Sequence, residues 1–251
     1  MNRSRFQGVA TVVRFNWHFY AFALVGIAAL FAVAHFAPSW LARTCVLLAV
    51  LATLSTYVSL AATWSAYDAS GLYRFRWLDP WMSAQGKAAN IHAGFDETTR
   101  LLRARFPALE WSVFDFYDPA KHTEISIRRA RLACPPSADT VAISTRSLPL
   151  ADASFDRILL VLAAHEIRDA QERMDFFREL HRALNSSGLL IVTEHLRDLP
   201  NCAAYNLGAL HFHSLSTWRA AFDAARFDVV ATFKPAPLIT TFILKKHGSP
   251  D

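Results

Sequence analysis

Histidines and carboxylates recur after the short apolar runs in the second part of this sequence. They come in four pairs along the chain: His92 and Asp96, Asp115 and Asp118, His165 and Glu166, Glu194 and His195. Imidazoles and carboxylates are the groups most used for proton transfer and for binding ligands or metals. Ligands of open α/β sheets bind outside the carboxyl ends of the parallel strands. If the apolar runs are such strands, the pairs predict one site at a single sheet edge.

The elements that position these pairs alternate between apolar and amphipathic segments from residue 88 onward. The predicted strands are Ala88–His92, Trp111–Phe116, Thr140–Ser144, Arg157–Ala163, Leu189–Thr193, Asp228–Phe233 and Thr240–Lys245. Segments of helical periodicity lie among them. The link KPAPLI between the last two strands is too short for a parallel crossover. The pattern predicts an α/β fold with a doubly wound, Rossmann-like, seven-stranded sheet whose last strand is antiparallel.

Two long uncharged segments precede this sheet. No Asp, Glu, Lys or Arg occurs in 15–42 or in 44–67, and each run exceeds the roughly 20 residues that cross a bilayer as a helix. We predict a membrane anchor over 1–67, with transmembrane helices at about 17–38 and 44–65. Two buried core helices are the alternative, although such helices usually carry charges on an outer face. A cleaved signal peptide fits less well, because a second span follows at once.

Arginines flank this hairpin. Residues 1–76 hold six arginines and one aspartate and so carry the whole net charge of +5. Only Arg43 lies in the turn, so the positive-inside rule places both ends in the cytoplasm and predicts a multi-pass protein of the inner (cytoplasmic) membrane. The basic charge therefore indicates anionic lipid as partner and no nucleic acid. The three cysteines show no CxxC spacing, which fits a reducing compartment.

The rest of the chain divides into two parts. Residues 68–87, rich in aromatic and turn-forming residues, are predicted to be an interfacial linker, and 88–247 the catalytic domain. The basic segment HTEISIRRAR (122–131) predicts a helix with a solvated face or, alternatively, a surface that rests on anionic headgroups.

One segment carries a resemblance to a known family. From Ser144 to His195 the chain reads STRSLPLADASFDRILLVLAAHEIRDAQERMDFFRELHRALNSSGLLIVTEH. It resembles the class I S-adenosylmethionine-dependent methyltransferases, which have LPF-D-SFD before the fourth strand, a His near that strand's end and a helix ending in R-L-PGG. The resemblance covers about Ala88 to Lys246 and is greatest to the branch that methylates quinones, lipids and other small molecules. It implies S-adenosylmethionine as cofactor.

The stretch ANIHAGFDET (89–98) stands where that family has an acid followed by G-x-G-x-G. Asn90 takes the place of the acid, His92 and Asp96 replace the first and third glycines, and Gly94 remains. The resemblance implies that these four residues contact the cofactor. Because the glycines let the backbone pass close to the ligand, a histidine and a carboxylate here change both the space and the charge of the loop.

The resemblance implies further cofactor contacts after the second and third strands. Asp115 is the better-placed partner for the ribose hydroxyls and Asp118 the next. Ser144 and Thr145 stand where the family often has an acid that contacts adenine.

Catalysis is assigned to the later pairs. His165 or His195 would act as a general base on a phenol-like or enol-like oxygen, with Glu194 as a further catalytic residue; a histidine merely hydrogen-bonded in a loop is the alternative. The residues predicted to contact the substrate are Arg168, His211 and His213.

A divalent metal site is a second interpretation of these residues. In this interpretation the ligands would be His92, Asp96, His165, Glu194 and His195. Because no H-x-x-x-H or H-x-x-E spacing supports such a site, we predict no metal ligand.

The sequence therefore predicts a membrane-anchored enzyme. It would transfer a methyl group from S-adenosylmethionine to a lipophilic small molecule such as a quinone, polyene or lipid precursor. Its partners would be the bilayer and this substrate, with a second copy of the chain or pathway enzymes as further candidates. The alternative is a degenerate methyltransferase fold that does not bind the donor and acts as a membrane scaffold or regulatory subunit, or that catalyses a non-methylating, metal-dependent reaction.

Overall fold

The computed structural model describes residues 3–248, so residues 1 and 2 of the predicted anchor lie outside the described part. The α-helices in it are α1 (Gln7–Phe36), α2 (Ser39–Trp64), α3 (Thr99–Arg105), α4 (Ile125–Ala133), α5 (Ala170–Ala183), α6 (Leu199–Tyr205) and α7 (Leu215–Ala224). The strands are β1 (Gly86–His92), β2 (Leu109–Asp115), β3 (Thr140–Ala142), β4 (Phe155–Val161), β5 (Leu184–His195), β6 (Phe227–Ala236) and β7 (Ile239–Lys246). A π-helical turn at Ser65–Ala69 continues α2.

The strands form one mixed sheet in the order β3-β2-β1-β4-β5-β7-β6. The pairs from β3 to β5 are parallel, and β7 runs antiparallel to both of its neighbours. The predicted fold is confirmed, and each of the seven predicted strands occurs. The largest difference in bounds is at β5, which starts five residues early because Leu184 pairs with Phe155 across a register shift.

Helices α5 and α7 cover one face of the sheet. Phe176 of α5 and Trp218 and Phe222 of α7 are fully buried there. Helix α5 begins where Asp169 accepts the backbone N–H of Glu172 over 2.7 Å, which satisfies one of the free donors of the first turn. Capping and an amphipathic pattern together explain why this segment is helical and which side it buries.

The opposite face is covered by the segment predicted to be a linker. Its side chains Phe75 and Leu78 are fully buried and pack against Leu159, Ile191 and Ile243 of the central strands. This segment therefore contributes to the core of the sheet domain. The division of the chain into anchor, linker and domain stays a prediction.

Helices α1 and α2 pack against each other and expose many apolar side chains. The helical stretches Gln7–Phe36 and Ser39–Arg74 each have a window with mean hydropathy 2.1, of which 0% and 11% is buried. By length and composition, both could cross a membrane.

Helix α1 begins ten residues before the predicted span, and its first turns contact the sheet domain, where Arg129 of α4 donates to the carbonyl of Phe15. Asp68 accepts the backbone N–H of Gly8 over 2.7 Å and so caps the start of the helix. Phe15 packs edge-on against Phe95, with ring centroids 5.3 Å apart. The helix is kinked at Asn16, which has non-helical backbone angles. The part before the kink lies over the carboxyl ends of the strands.

Candidate functional site

The parallel strands bring most of the predicted residues to one edge of the sheet. His92 ends β1, Asp115 ends β2, Glu194 and His195 end β5, and His165 lies in the short helical turn Ala164–Glu166 that follows β4. These residues divide into two groups, one at the loop after β1 and one at the ends of β4 and β5.

In the first group, Asn90 and Asp96 hold the start of α3. Asn90 Nδ2 donates to Oγ1 of Thr98 and of Thr99 over 2.9 and 2.7 Å. Oδ1 of Asp96 accepts the backbone N–H groups of the same two threonines, both over 2.9 Å. Burial acts to raise the pKa of Asp96, but the hydrogen bonds outweigh it and lower that pKa. These side chains therefore stabilise the loop after β1 and the start of α3.

Gly94 lies against an aromatic ring. Gly94 has φ +81°, which side chains rarely permit, and a Cβ at this position would lie 2.9 Å from ring atoms of Tyr117. The backbone N–H groups of Gly94 and Tyr117 both donate to Oδ1 of Asp115, over 2.8 and 2.9 Å. The loop is thereby closed onto the end of β2, with the tyrosine ring over the glycine.

Asp115 has a further partner on α4. Arg131 donates to its Oδ2, and the guanidinium lies 5.3 Å from the Tyr117 ring centroid. His92 lies 3.7 Å from Asp115, but both of its buried ring nitrogens lack a hydrogen-bond partner among the described residues. Burial lowers the pKa of His92, which favours the neutral ring at neutral pH. A buried polar group without a partner is costly, and a bound ligand would relieve that cost.

In the second group, His165 and Glu194 form a buried pair. Nδ1–H of His165 donates to Oε2 of Glu194 over 2.6 Å, and Oε1 of this fully buried glutamate accepts the backbone N–H groups of Ala163 and His165. Burial alone would lower the pKa of His165, but the carboxylates of Glu194 and Glu166 outweigh it and raise the pKa to about 10. The two carboxylates therefore favour the protonated imidazole at neutral pH.

Arg168 and His211 lie next to this pair. Arg168 donates to the backbone carbonyl of His211, and its Nη2 lies 2.7 Å from Nε2 of that ring and 3.3 Å from Oε1 of Glu124. Nδ1 of His211 lies 2.9 Å from the same glutamate oxygen. Arg168, which is predicted to contact the substrate, thus has protein partners.

His195 differs from His165 in charge. Its Nδ1–H donates to the carbonyl of Leu238 over 2.9 Å, with the side-chain oxygen of Asn201 at 3.0 Å. Burial lowers the pKa of His195 to about 4, so the ring is neutral and Nε2 keeps its lone pair. That lone pair accepts the hydroxyl of Tyr67, 2.8 Å away. Of the two predicted bases, His195 is the one whose ring is unprotonated at neutral pH.

Two cavities meet at these residues. The smaller, of about 250 Å³, lies over the strand ends and is lined by Tyr67, Ala93, Leu162, His165 and His195, among others. The larger, of about 880 Å³, lies between α1, α2 and the segment from Tyr205 to Phe212. Five residues line both cavities: Val12, Asn16, Tyr67, Ser126 and Phe212.

The other predicted residues lie outside this meeting point. Asp118 accepts the backbone N–H of Ala120 in a turn, and Thr145 donates to Glu172. Ser144 is exposed. His213 lies 3.3 Å from the carbonyl of Ile167, and burial lowers its pKa to about 4. Direct contact of these residues with a cofactor or substrate stays a prediction.

Four residues of the site were not predicted: Tyr67, Tyr117, Glu124 and Arg131. The sequence places Tyr67 in a group of aromatic residues at the end of the second apolar span, and Arg131 in a basic helix. Neither context indicates a contact with a strand end. A π-helical turn is often found at functional sites, but it is visible only in the structure.

Comparison with known proteins agrees with this fold. Residues 115–192 match a family model described as a methyltransferase domain. No curated protein matches the chain. A SAM-dependent methyltransferase from Methanosarcina mazei is similar in structure, with 14% identity, a TM-score of 0.50, and coverage of 68% of this chain and 97% of that chain. A protein from Pyrococcus horikoshii is similar with 15% identity, a TM-score of 0.51, and coverage of 69% and 89%.

A third similar structure is that of PigF with SAH, with 15% identity, a TM-score of 0.51, and coverage of 77% of this chain and 66% of that chain. At these identities, the similarity establishes the fold. The chain has the class I methyltransferase fold, and its central segment carries a methyltransferase domain signature.

The residues at the end of β1 and β2 fit the methyl donor that this fold implies. The buried nitrogens of His92 have no partner among the described residues, and the carboxylate of Asp115 lies next to them. The ring of Tyr117 occupies the space above Gly94. Donor binding at this place therefore depends on how readily that ring moves.

Proposed function

We propose that the protein is a membrane-anchored methyltransferase that transfers a methyl group from S-adenosylmethionine to a hydroxyl oxygen of a lipophilic small molecule, such as a quinone, polyene or lipid precursor. The observation that carries this proposal is the connection between two cavities. The larger lies between the apolar helices, and it shares five lining residues with the cavity over the strand ends.

The larger cavity offers a path from the lipid phase to the strand ends. Its walls include Phe19 and Ala23 of α1 and Ser55 and Thr56 of α2. A volume of about 880 Å³ is within the usual range for small-molecule sites. An apolar acceptor that partitions into the bilayer would enter between the helices and present its polar group to the strand ends.

Anchoring in the inner, cytoplasmic membrane supports such a substrate. The two helical stretches have the length and hydropathy of membrane spans, and the arginine-rich flanks favour cytoplasmic ends. Holding the domain at the membrane raises the effective concentration of an acceptor that is itself confined there.

The donor would be held at the ends of β1 and β2. Asp115 would accept hydrogen bonds from ribose hydroxyls, and His92 would gain the partner that it lacks in the protein alone. When bound, S-adenosylmethionine supplies an electrophilic methyl group. The residues before the kink of α1 close this end of the smaller cavity and limit the access of water.

Tyr67 and His195 would remove the acceptor's proton. As the acceptor oxygen bonds to the methyl carbon and the donor's S–CH₃ bond breaks, the acceptor O–H becomes acidic. Tyr67 lines both cavities and can take that proton while passing its own to Nε2 of His195 over 2.8 Å. Positioning the reactants and receiving the proton are the contributions of this chain's own residues.

Donor binding and label transfer test the proposal. Full-length protein in detergent should bind S-adenosylmethionine in calorimetry. In bilayer discs with a membrane lipid extract, label from the methyl group should appear in an apolar, organic-extractable product. Absence of binding at about 1 mM donor would contradict the proposal.

A scaffold or regulatory subunit without donor binding is the second candidate. Two contacts favour it. The Tyr117 ring fills the space above Gly94, and Arg131 already donates to the carboxylate of Asp115. In that case substitutions of Tyr67 and His195 to isosteric residues would leave the cellular phenotype unchanged, whereas an enzyme would lose it.

A further inference from the structure

A compact group of side chains lies where the two cavities meet and takes no part in the proposed proton transfer. It consists of His165 and Glu166, in the turn after β4, and His211, which precedes Phe212 in the chain. Nε2 of His165 lies 3.4 Å from Oε1 of Glu166, and Nε2 of His211 lies 3.4 Å from the same oxygen. Two imidazole nitrogens from distant segments thus converge on one carboxylate oxygen.

The spacing of these atoms matches the ligands of a divalent metal ion. Two ligand atoms bonded at about 2.1 Å with a tetrahedral angle between them lie roughly 3.4 Å apart. One ligand atom from each of the three residues lies within 4.8 Å of the others. Two histidines and one carboxylate leave coordination positions open, as in catalytic zinc sites and non-haem iron sites.

Further carboxylates orient both imidazoles. Nδ1 of His165 lies 2.6 Å from Oε2 of Glu194, and Nδ1 of His211 lies 2.9 Å from Oε1 of Glu124. Metal-binding histidines commonly donate their second ring N–H to a carboxylate, which fixes the ring and its tautomer. In both rings Nε2 is therefore the nitrogen that would bind a metal, and that of His211 lies 2.7 Å from Nη2 of Arg168.

The charges at this place also suit a divalent cation. Glu166 contacts both imidazoles, Glu194 contacts that of His165, and Glu124 and the cation Arg168 contact that of His211. With both imidazoles neutral, these groups sum to a charge of minus two. One divalent ion would balance that charge.

We propose that His165, Glu166 and His211 bind one first-row divalent metal ion such as Zn²⁺ or Fe²⁺. Glu194 and Glu124 are positioning residues that orient the two imidazoles. His165 and Glu166 line the smaller cavity and His211 lines the larger, so the ion lies beside the path of the acceptor. Its catalytic role rests on the proposed function: an open coordination position would take the acceptor oxygen and favour loss of the proton from it.

Arg168 competes with the metal for one ligand. Its Nη2 lies 2.7 Å from Nε2 of His211, but the half-exposed side chain also reaches Glu124 at 3.3 Å. Binding of the metal requires the guanidinium to leave His211, and Glu124 offers it a partner. Arg168→Ala should therefore bind the metal more tightly than the wild type, which no purely structural role of His165 and His211 would produce.

Titration with Co²⁺ tests the metal site without the methyl donor. The full-length protein, purified in detergent with an affinity tag free of histidine, is treated with EDTA, desalted and titrated with Co²⁺. We expect one equivalent per chain with visible absorption bands, and displacement by Zn²⁺. His165→Gln and His211→Gln should weaken binding about 100-fold or more, and Glu194→Gln about 10- to 100-fold.

His181→Gln is the matched control, because His181 lies on α5 beside Phe227 and away from the group. It should bind Co²⁺ as the wild type does. Absence of Co²⁺ and Zn²⁺ binding to the wild type at about 100 µM would overturn the proposal. So would unchanged affinity in a His211→Gln protein whose helix content matches the wild type. Metal binding without methyl transfer would leave the metal site intact and contradict the proposed function alone.

Discussion

Tyr67 donates its hydroxyl hydrogen to Nε2 of His195 over 2.8 Å. This bond joins the π-helical turn at the end of the second apolar helix to the end of a central strand. It ties the proposed membrane anchor to the proposed site at the point where the two cavities meet. The same tyrosine packs edge-on against the imidazole, with ring centroids 5.7 Å apart.

Tyr67→Phe keeps this ring contact and removes the hydroxyl. We expect kcat to fall about 100-fold, because the acceptor's proton loses its receiver, while the affinity for S-adenosylmethionine stays at the wild-type value. Single-turnover methyl transfer and calorimetry measure the two quantities. Wild-type kcat in this variant would exclude Tyr67 from proton transfer.

Tyr117→Ala removes the ring that covers Gly94. The donor should then bind about 10-fold more tightly, which corresponds to about 1.4 kcal/mol, because no side chain has to leave the loop. Tyr117→Phe is the control and should bind as the wild type does, since the ring atoms near Gly94 remain. Weaker binding in Tyr117→Ala would instead identify the ring as a contact of the donor.

Asp96→Ala distinguishes a structural from a binding role of this carboxylate in the loop after β1. The side chain accepts the backbone N–H groups of Thr98 and Thr99, and loss of such a cap costs about 1 kcal/mol of unfolding free energy. We expect a lower Tm in detergent with unchanged donor affinity, and an intermediate Tm for Asp96→Ser. A selective loss of donor affinity at unchanged Tm would show direct contact with the donor.

The lowered pKa of His195 predicts how the stability of the fold depends on pH. Burial lowers the pKa of this histidine to about 4 in the folded protein, whereas an unfolded chain has about 6.5. Between these values the unfolded state binds a proton that the folded state does not. The free energy of unfolding should therefore decrease as pH falls from about 6.5 to 4, by about 3 kcal/mol from this group.

Thermal unfolding in detergent between pH 4 and 7.5 checks this expectation. His195→Gln does not titrate and should show a shallower decrease of Tm in the acid range, with a lower Tm at neutral pH because it loses contacts of the imidazole. An unchanged acid slope in the variant would assign the pH dependence to other buried histidines such as His92, whose pKa burial also lowers.

Periodicity was sufficient to predict the sheet but not the contacts around it. Every predicted strand occurs, because alternating apolar and amphipathic segments of this length pack in few ways. The start of α1 was missed, since residues 7–16 form a helix that is capped by Asp68 and packed on the sheet domain. No local pattern indicates a cap that comes from sixty residues away.

The same limit applies to the site. The sequence predicted His165, Glu194 and His195 at the strand ends, because parallel strands carry their ends to one edge. It did not distinguish the charges of the two histidines. Burial acts to lower the pKa of both histidines. The carboxylates of Glu194 and Glu166 reverse this effect at His165, whereas burial dominates at His195, which bonds to a carbonyl and a hydroxyl.

By itself, the sequence determined the sheet, the two apolar helices and the strand ends that carry the polar residues, because these depend on the order and spacing of apolar residues along the chain. Tertiary structure alone decided that Tyr67 bonds to His195, that Tyr117 covers Gly94, and that His211 meets Glu166. Each of these contacts joins segments far apart in sequence, and their distances and desolvation exist only once the chain has folded.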